Sequence, residues 1–86
     1  MQVPSPEQDF VNYRDRGDLP ALAAVFDAFA AHLLLVAGHL VHDGALAEDL
    51  VQTTFVEAMR SASRYDAERP LLPWLVRILT HHAKKL

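Results

Sequence analysis

Three short stretches decide the fold: residues 47–55 read AEDLVQTTF, residues 64–70 read RYDAERP, and residues 74–78 read WLVRI. In the first and third, apolar residues recur at helical spacing. The second is charged and ends in proline, which interrupts regular structure. The order is therefore an amphipathic helix, a charged loop and a second helix that has a tryptophan near its start.

Two further helices are predicted before this part of the chain. The first follows Ser5 as its N-cap, with Pro6 in the first helical position, and ends at Gly17. The second follows Asp18 and is long and apolar. Its stripe has spacings of three and four residues and consists of Leu22, Phe26, Phe29, Leu33, Val36 and Leu40.

The opposite side of this long helix is also apolar, with Ala24, Ala28, Ala31, Leu34 and Leu35. A helix that is apolar nearly all round needs cover on more than one face. Either the other helices of the domain supply all of it, or a partner protein supplies a part. The sequence leaves both alternatives open.

The last two helices follow a break at Asp43-Gly44, where Asp43 is the expected cap. We expect the third helix from about Ala45 to Ala62 and the fourth from near Pro73 to Lys84 and Lys85. The residues expected to face inward are Leu46, Leu50, Phe55, Ala58 and Met59 on the third helix, and Trp74, Leu75, Ile78 and Leu79 on the fourth. No strand pattern competes, so we predict an all-α fold, a compact bundle of about four helices with one long central helix, and a single domain over residues 1–86.

Composition excludes several classes of function. The chain has no cysteine, which excludes disulfides and thiolate metal sites. It has no recognisable catalytic motif, and His32 is about 10 Å along the helix from His39, so we expect no catalytic residues, no metal site, no cofactor and no enzyme activity. The apolar run at residues 28–41 is expected to be too short and too polar for a membrane span, and the N-terminus does not resemble a signal peptide. We therefore expect a cytoplasmic protein.

Charge is distributed unevenly along the chain, whose net charge is −3. Residues 1–59 contain nine acidic and two basic residues, whereas residues 60–86 contain six basic and two acidic residues. An acidic front and a basic tail favour different partners for the two ends, with contacts to phosphate at the tail.

In their order and spacing, these segments resemble the core-binding and promoter-melting domain of bacterial sigma factors, most closely the extracytoplasmic-function group. The stretch AEDLVQTTFVEAMR is similar to the segment that contacts the clamp helices of the largest subunit of RNA polymerase. The loop RYDAERP and the helix PWLVRI resemble the parts that recognise and melt the −10 promoter element as single-stranded DNA. The resemblance extends over nearly the whole chain.

The resemblance implies two sets of site residues. The polymerase-binding residues are Glu48, Asp49, Gln52 and Thr53, and the alternative for them is an ordinary solvated helix face. The DNA-binding residues are Arg64, Tyr65, Asp66, Arg69, Arg77, Lys84 and Lys85. Arginine and lysine suit phosphate, and the segment 63–72 is the expected pocket for an unstacked base. Tyr65 either stacks on a base or seals the core beside Met59, and we expect Trp74 in the core.

The predicted function is therefore transcription initiation, through binding of RNA polymerase core and melting of the −10 element. The alternative is a helical interaction module that keeps the fold and binds a regulator, such as an anti-sigma factor, without DNA activity. The helix-turn-helix domain that reads the −35 element in sigma factors is expected to be absent from this chain.

Overall fold

The computed structural model describes residues 3–86, and helices form nearly all of its regular structure. The elements in chain order are α1 (Pro6–Arg16), α2 (Leu19–Val41), α3 (Gly44–Arg60), a 3-10 turn (Ala62–Arg64) and α4 (Leu71–Ala83). The described residues contain no strand, and the prediction of an all-α bundle with one long helix is confirmed.

Local sequence explains where the first three helices begin. Ser5 and Gln8 form a reciprocal capping box, in which each side chain accepts a hydrogen bond from the other residue's backbone N–H. The carboxylate of Asp18 caps α2 and that of Asp43 caps α3. Caps of this kind each stabilise a helix by about 1 kcal/mol.

The break between α2 and α3 consists of His42 and Asp43, one residue earlier than the predicted Asp43-Gly44, and Asp43 is the cap of α3 as predicted. His42 adopts a left-handed conformation with φ of 53°, and its N–H donates to the carbonyl of Gly38. Gly44 is already the first residue of α3. A polar residue thus ends α2 in a conformation that glycine more often supplies, so the predicted break lies one residue too late.

A single apolar core joins all four helices. Helix α2 contacts α1, α3 and α4, and α3 also contacts α4. The hydroxyl of Thr54, which is fully buried, donates to the carbonyl of Leu50 at 2.8 Å and so leaves no unpaired polar group there. The largest fully buried apolar side chains are Phe10, Val25, Leu33, Leu71, Leu75 and Leu79.

The buried stripe of α2 differs from the predicted one. Leu33 is buried and Leu22, Phe29 and Val36 are half-buried against the core, as expected, but Phe26 and Leu40 are 44% and 45% exposed. The other buried residues of α2 are the smaller Ala21, Val25 and Ala37. Small side chains occupy most of the centre of this contact face, and the larger Phe26 and Leu40 lie away from it. Periodicity identified the helix correctly but not the centre of its buried face.

The outer side of α2 remains uncovered in the described residues. Leu34 and Leu35 are 40% and 64% exposed, so the other helices do not cover this face. Two inward predictions for α3 are also wrong, because Leu46 and Met59 are exposed. These positions lie at the edges of the α3 apolar stripe, where helical spacing alone does not separate buried from exposed residues.

Helix α4 begins at Leu71, two residues before the predicted start. Pro73 therefore lies inside the first turn, where its missing N–H removes no intrahelical hydrogen bond. The loop before it is also more regular than predicted, because residues 62–64 form a 3-10 turn. Pro73 thus correctly predicted that a helix starts here, but the predicted start is two residues too late.

By length and composition, α2 is apolar enough to cross a membrane. The prediction that the apolar run is too short is wrong, because the helix starts at Leu19, has 23 residues and contains one formally charged residue, Asp27. Core helices of soluble proteins also meet this criterion, so a helix of this kind is weak evidence for a membrane.

Candidate functional site

The four residues of α3 predicted to contact a protein partner form an exposed surface. Glu48, Asp49, Gln52 and Thr53 are all exposed, and we call this surface the α3 ridge. Behind it, Ala47, Leu50 and Val51 are buried in the core. One helix therefore supplies both the polar surface and its rigid apolar support, which fixes the spacing of the four side chains.

An apolar groove of about 240 Å³ lies beside the ridge, between α2 and α3. We call it the α2–α3 groove. Glu48 and Gln52 form its polar edge, and the ring of Phe26 on its floor lies 4.9 Å, centroid to centroid, from that of Phe55. The other lining residues are Ala30, Ala31, Leu34 and Val51. An apolar centre beside a polar edge is the usual composition of a protein–protein contact surface.

A second concave surface lies where the 64–70 loop meets α4. This cavity has a volume of about 480 Å³, and we call it the arginine cavity. It brings together three guanidinium groups and one carboxylate, so its charge is positive. Its lining residues are Arg64, Tyr65, Asp66, Arg69, Pro70, Pro73, Trp74 and Arg77.

Two aromatic rings form the inner wall of this cavity. Tyr65 is 3% exposed, and its ring lies 5.4 Å from that of Trp74 and 5.4 Å from that of Phe10, measured between centroids. Its hydroxyl donates to the carbonyl of Arg69, which ties the two ends of the loop together. Burial raises the pKa of Tyr65, and the nearby carboxylates of Glu7 and Asp66 raise it further.

The structure thus favours the core role of Tyr65, although its ring contacts are with Phe10 and Trp74. Trp74 packs against the core as predicted, but it is only half-buried and also lines the cavity. Its spacing of three from Arg77 places both on one side of α4. In the sequence, the spacing of three between Trp74 and Arg77 already indicated that the two side chains share a surface.

Asp66 shapes the loop that carries it. Its Oδ1 accepts a hydrogen bond from the N–H of Glu68 at 3.0 Å, and its carbonyl accepts one from the N–H of Arg69 at 3.0 Å. Its Oδ2 lies 3.5 Å from Nε of Arg69 in an exposed ion pair, a contact that contributes little to stability. The Asp66 side chain is therefore a turn-forming group at the rim of the cavity.

The two lysines predicted to bind DNA lie away from this cavity. Lys84 and Lys85 are exposed at the end of α4. Lys84 comes seven residues after Arg77, which is about 10 Å along the helix axis and on nearly the same side. Both lysines are thus separate from the cavity lining.

A smaller cavity of about 340 Å³ adjoins the arginine cavity, and Arg64, Trp74 and Arg77 line both. In it, Nε2 of His82 lies 3.8 Å from Oε1 of Glu57. This nitrogen is buried and has no hydrogen-bond partner among the described residues.

Comparison with known proteins identifies the family. The family model for sigma-70 region 2 matches residues 25–86, so this chain belongs to that family. The resemblance to sigma factors predicted from the sequence is confirmed, whereas the extracytoplasmic-function group remains a prediction. Sigma factors are regulatory, non-catalytic proteins, which agrees with the absence of a recognisable catalytic motif.

One characterised relative is the RNA polymerase sigma factor CarQ of Myxococcus xanthus. The two sequences are 44% identical over an alignment of 61 residues, and the match covers 67% of this chain and 35% of CarQ. The matched part thus spans about a third of the relative's length. No solved structure matches this chain.

Proposed function

We propose that this chain is a transcription initiation domain that binds RNA polymerase core and helps to recognise and melt the −10 promoter element. The observation that carries the proposal is the presence of two different surfaces on one bundle. The α3 ridge and its groove suit a protein partner, and the arginine cavity suits a nucleic acid. We expect residues 1–86 to fold as one domain that acts in the cytoplasm without enzymatic activity.

The proposed polymerase contact combines the α3 ridge with the α2–α3 groove. Asp49 and Gln52 are exposed, and the opposite side of their helix is buried in the core. The backbone that carries them therefore needs little rearrangement when a partner binds. The groove adds the exposed ring of Phe26 and aliphatic side chains that a coiled-coil partner such as the clamp helices would bury. Glu48 and Thr53 belong to the same surface.

A binding assay with purified polymerase core tests this contact. The double variant Asp49→Ala with Gln52→Ala should weaken core binding about tenfold or more, since a few residues carry most of the energy of an interface. The control is Asp9→Ala with Asn12→Ala, which has the same spacing of three on α1. Equal core binding by both double variants would contradict the proposed contact.

The proposed DNA contact is the arginine cavity, with Arg64, Arg69 and Arg77 as ligands of the phosphates. Its volume of about 480 Å³ is within the range of small-molecule sites, which suits an unstacked base. Lys84 and Lys85 extend the phosphate contact. In this proposal the exposed edge of Trp74, and not the buried ring of Tyr65, is the aromatic surface available to a base.

A salt titration with labelled single-stranded DNA tests this site. The logarithm of the affinity falls with the logarithm of the salt concentration, and each lost phosphate contact should make this slope shallower by about 0.7. The double variant Arg64→Ala with Arg69→Ala should therefore bind DNA more weakly, and its slope should be shallower by about 1.4. The control is Arg16→Ala with Arg60→Ala, which removes two arginines that do not line the cavity. Absence of any DNA binding by the unchanged protein at low salt would contradict the proposed function.

The family match favours the initiation role over an interaction module without DNA activity. The uncovered side of α2 is the one feature that the alternative explains equally well, because its apolar residues suit a regulator such as an anti-sigma factor. Binding of a regulator together with loss of both polymerase and DNA binding would support the alternative.

A further inference from the structure

A backbone N–H in the first turn of α4 donates its hydrogen bond to a residue that is far away in the sequence. The residue before the helix is Pro70, whose side chain makes no capping hydrogen bond. Instead, Oε2 of Glu7 accepts from the N–H of Leu71 at 2.8 Å, across 64 positions of sequence. This bond satisfies one of the free N–H groups at the helix start and places a negative charge at the positive end of its dipole.

The other end of the loop is held from the same helix. Nη1 of Arg14 donates to the carbonyl of Tyr65 at 3.1 Å, across 51 positions. The guanidinium is itself oriented by Asp15, whose Oδ1 accepts from Nε of Arg14 at 2.8 Å. This hydrogen bond raises the pKa of Arg14 and lowers that of Asp15, so both groups are charged at neutral pH.

Phe10 lies between these two contacts on the same face of α1. The spacings of three and four residues from Glu7 to Phe10 to Arg14 bring the three side chains into one line. Phe10 is fully buried, and its ring lies 5.4 Å from that of Tyr65 and 5.6 Å from that of Trp74, measured between centroids. One face of α1 therefore contacts both ends and the inner wall of the arginine cavity.

We propose that α1 positions the DNA-binding cavity, and that Glu7 and Arg14 are positioning residues that hold the start of α4 and the start of the loop at a fixed separation. This inference rests on the proposed function of the arginine cavity. Neither residue lines that cavity, so neither contacts the DNA directly. They restrict the conformations of residues 65–71 before binding, which lowers the entropy that the loop loses on binding.

The contribution of α1 comes from outside the segment that defines the family. The family model matches residues 25–86, whereas α1 ends at Arg16. The Glu7 and Arg14 contacts therefore come from residues that the family model does not match.

The test measures single-stranded DNA binding and polymerase binding of the same variants. The probe is a labelled oligonucleotide of mixed sequence at low salt, followed by fluorescence anisotropy. Glu7→Ala should weaken DNA binding about fivefold to tenfold and leave core binding unchanged, because the α3 ridge does not depend on the cavity. Glu7→Gln keeps a carbonyl oxygen that accepts from Leu71, so it should restore most of the DNA affinity.

Asp9→Ala is the matched control, because Asp9 is also an acid in the first turn of α1 but makes no side-chain hydrogen bond in residues 3–86. Arg14→Ala should weaken DNA binding in the same way, and Arg14→Lys, which keeps one donor, should lose less. Emission of Trp74, the single tryptophan, reports on the cavity wall and should shift in Glu7→Ala but not in Asp9→Ala.

The outcomes separate this inference from the proposed function. If the unchanged protein binds DNA and Glu7→Ala binds equally well, the positioning role is wrong and the proposed function stands. If Glu7→Ala loses DNA and polymerase binding together, its effect is general destabilisation and the inference is also wrong. If the unchanged protein binds polymerase but no DNA, the proposed DNA function and the inference fail together.

Discussion

The α3 ridge and the arginine cavity are built in different ways. The four ridge residues lie within six positions of one helix, and the core holds that helix from behind. The cavity combines a loop with the first turns of α4, and α1 supports it through Glu7 and Arg14. A surface on one helix keeps its geometry wherever the helix is stable, whereas a composite cavity depends on contacts between distant parts of the chain.

The largest expected effect is the loss of stability when an aromatic ring behind the cavity wall is removed. Phe10→Ala removes a fully buried ring from between Tyr65 and Trp74 and should cost about 3–5 kcal/mol of the free energy of unfolding, measured by urea denaturation. The control Leu35→Ala removes a side chain that is 64% exposed and should change stability by less than about 0.5 kcal/mol. Similar effects of the two substitutions would show that α1 does not support the cavity.

The second prediction tests whether the two surfaces act independently. The α3 ridge variant is measured for DNA binding, and the arginine cavity variant is measured for polymerase binding. Asp49→Ala with Gln52→Ala should change single-stranded DNA affinity less than about twofold, and Arg64→Ala with Arg69→Ala should change polymerase affinity equally little. The reason is that neither pair lines the other's surface. Loss of both activities in either double variant would mean that the two surfaces are coupled.

The smallest effect concerns the Tyr65 hydroxyl, which closes the loop onto Arg69. Tyr65→Phe should cost about 1 kcal/mol at neutral pH through the lost hydrogen bond. Burial raises the pKa of Tyr65 in the folded state above its usual 10.0, so its stabilisation is complete below pH 10.0 and is lost as the pH rises through the raised value.

The measurement for this prediction is the free energy of unfolding of both proteins between neutral and alkaline pH. The stability advantage of the unchanged protein over Tyr65→Phe should shrink as the pH rises above the usual tyrosine pKa. An advantage that stays constant through this range would mean that burial does not raise the pKa of Tyr65.

Most of the ridge was predictable from the sequence, because helical spacing fixes which residues share a face. The prediction that Glu48, Asp49, Gln52 and Thr53 are exposed agrees with the structure, although their binding role remains a prediction. Five of the seven residues predicted to bind DNA line the cavity, although their role in binding remains a prediction. Arg64, Arg69 and Arg77 lie together in it, but the predicted lysines follow the end of α4, and Trp74 was expected to be core alone.

The sequence by itself determined the number and order of the helices, the N-caps of the first three and the separation of acidic from basic residues, because these depend on residues within about four positions of one another. The tertiary structure alone decided which stripe of α2 is buried, that Tyr65 faces the core, and that Glu7 caps α4. These features depend on contacts between residues far apart in the chain, and no local pattern specifies which distant side chain supplies them.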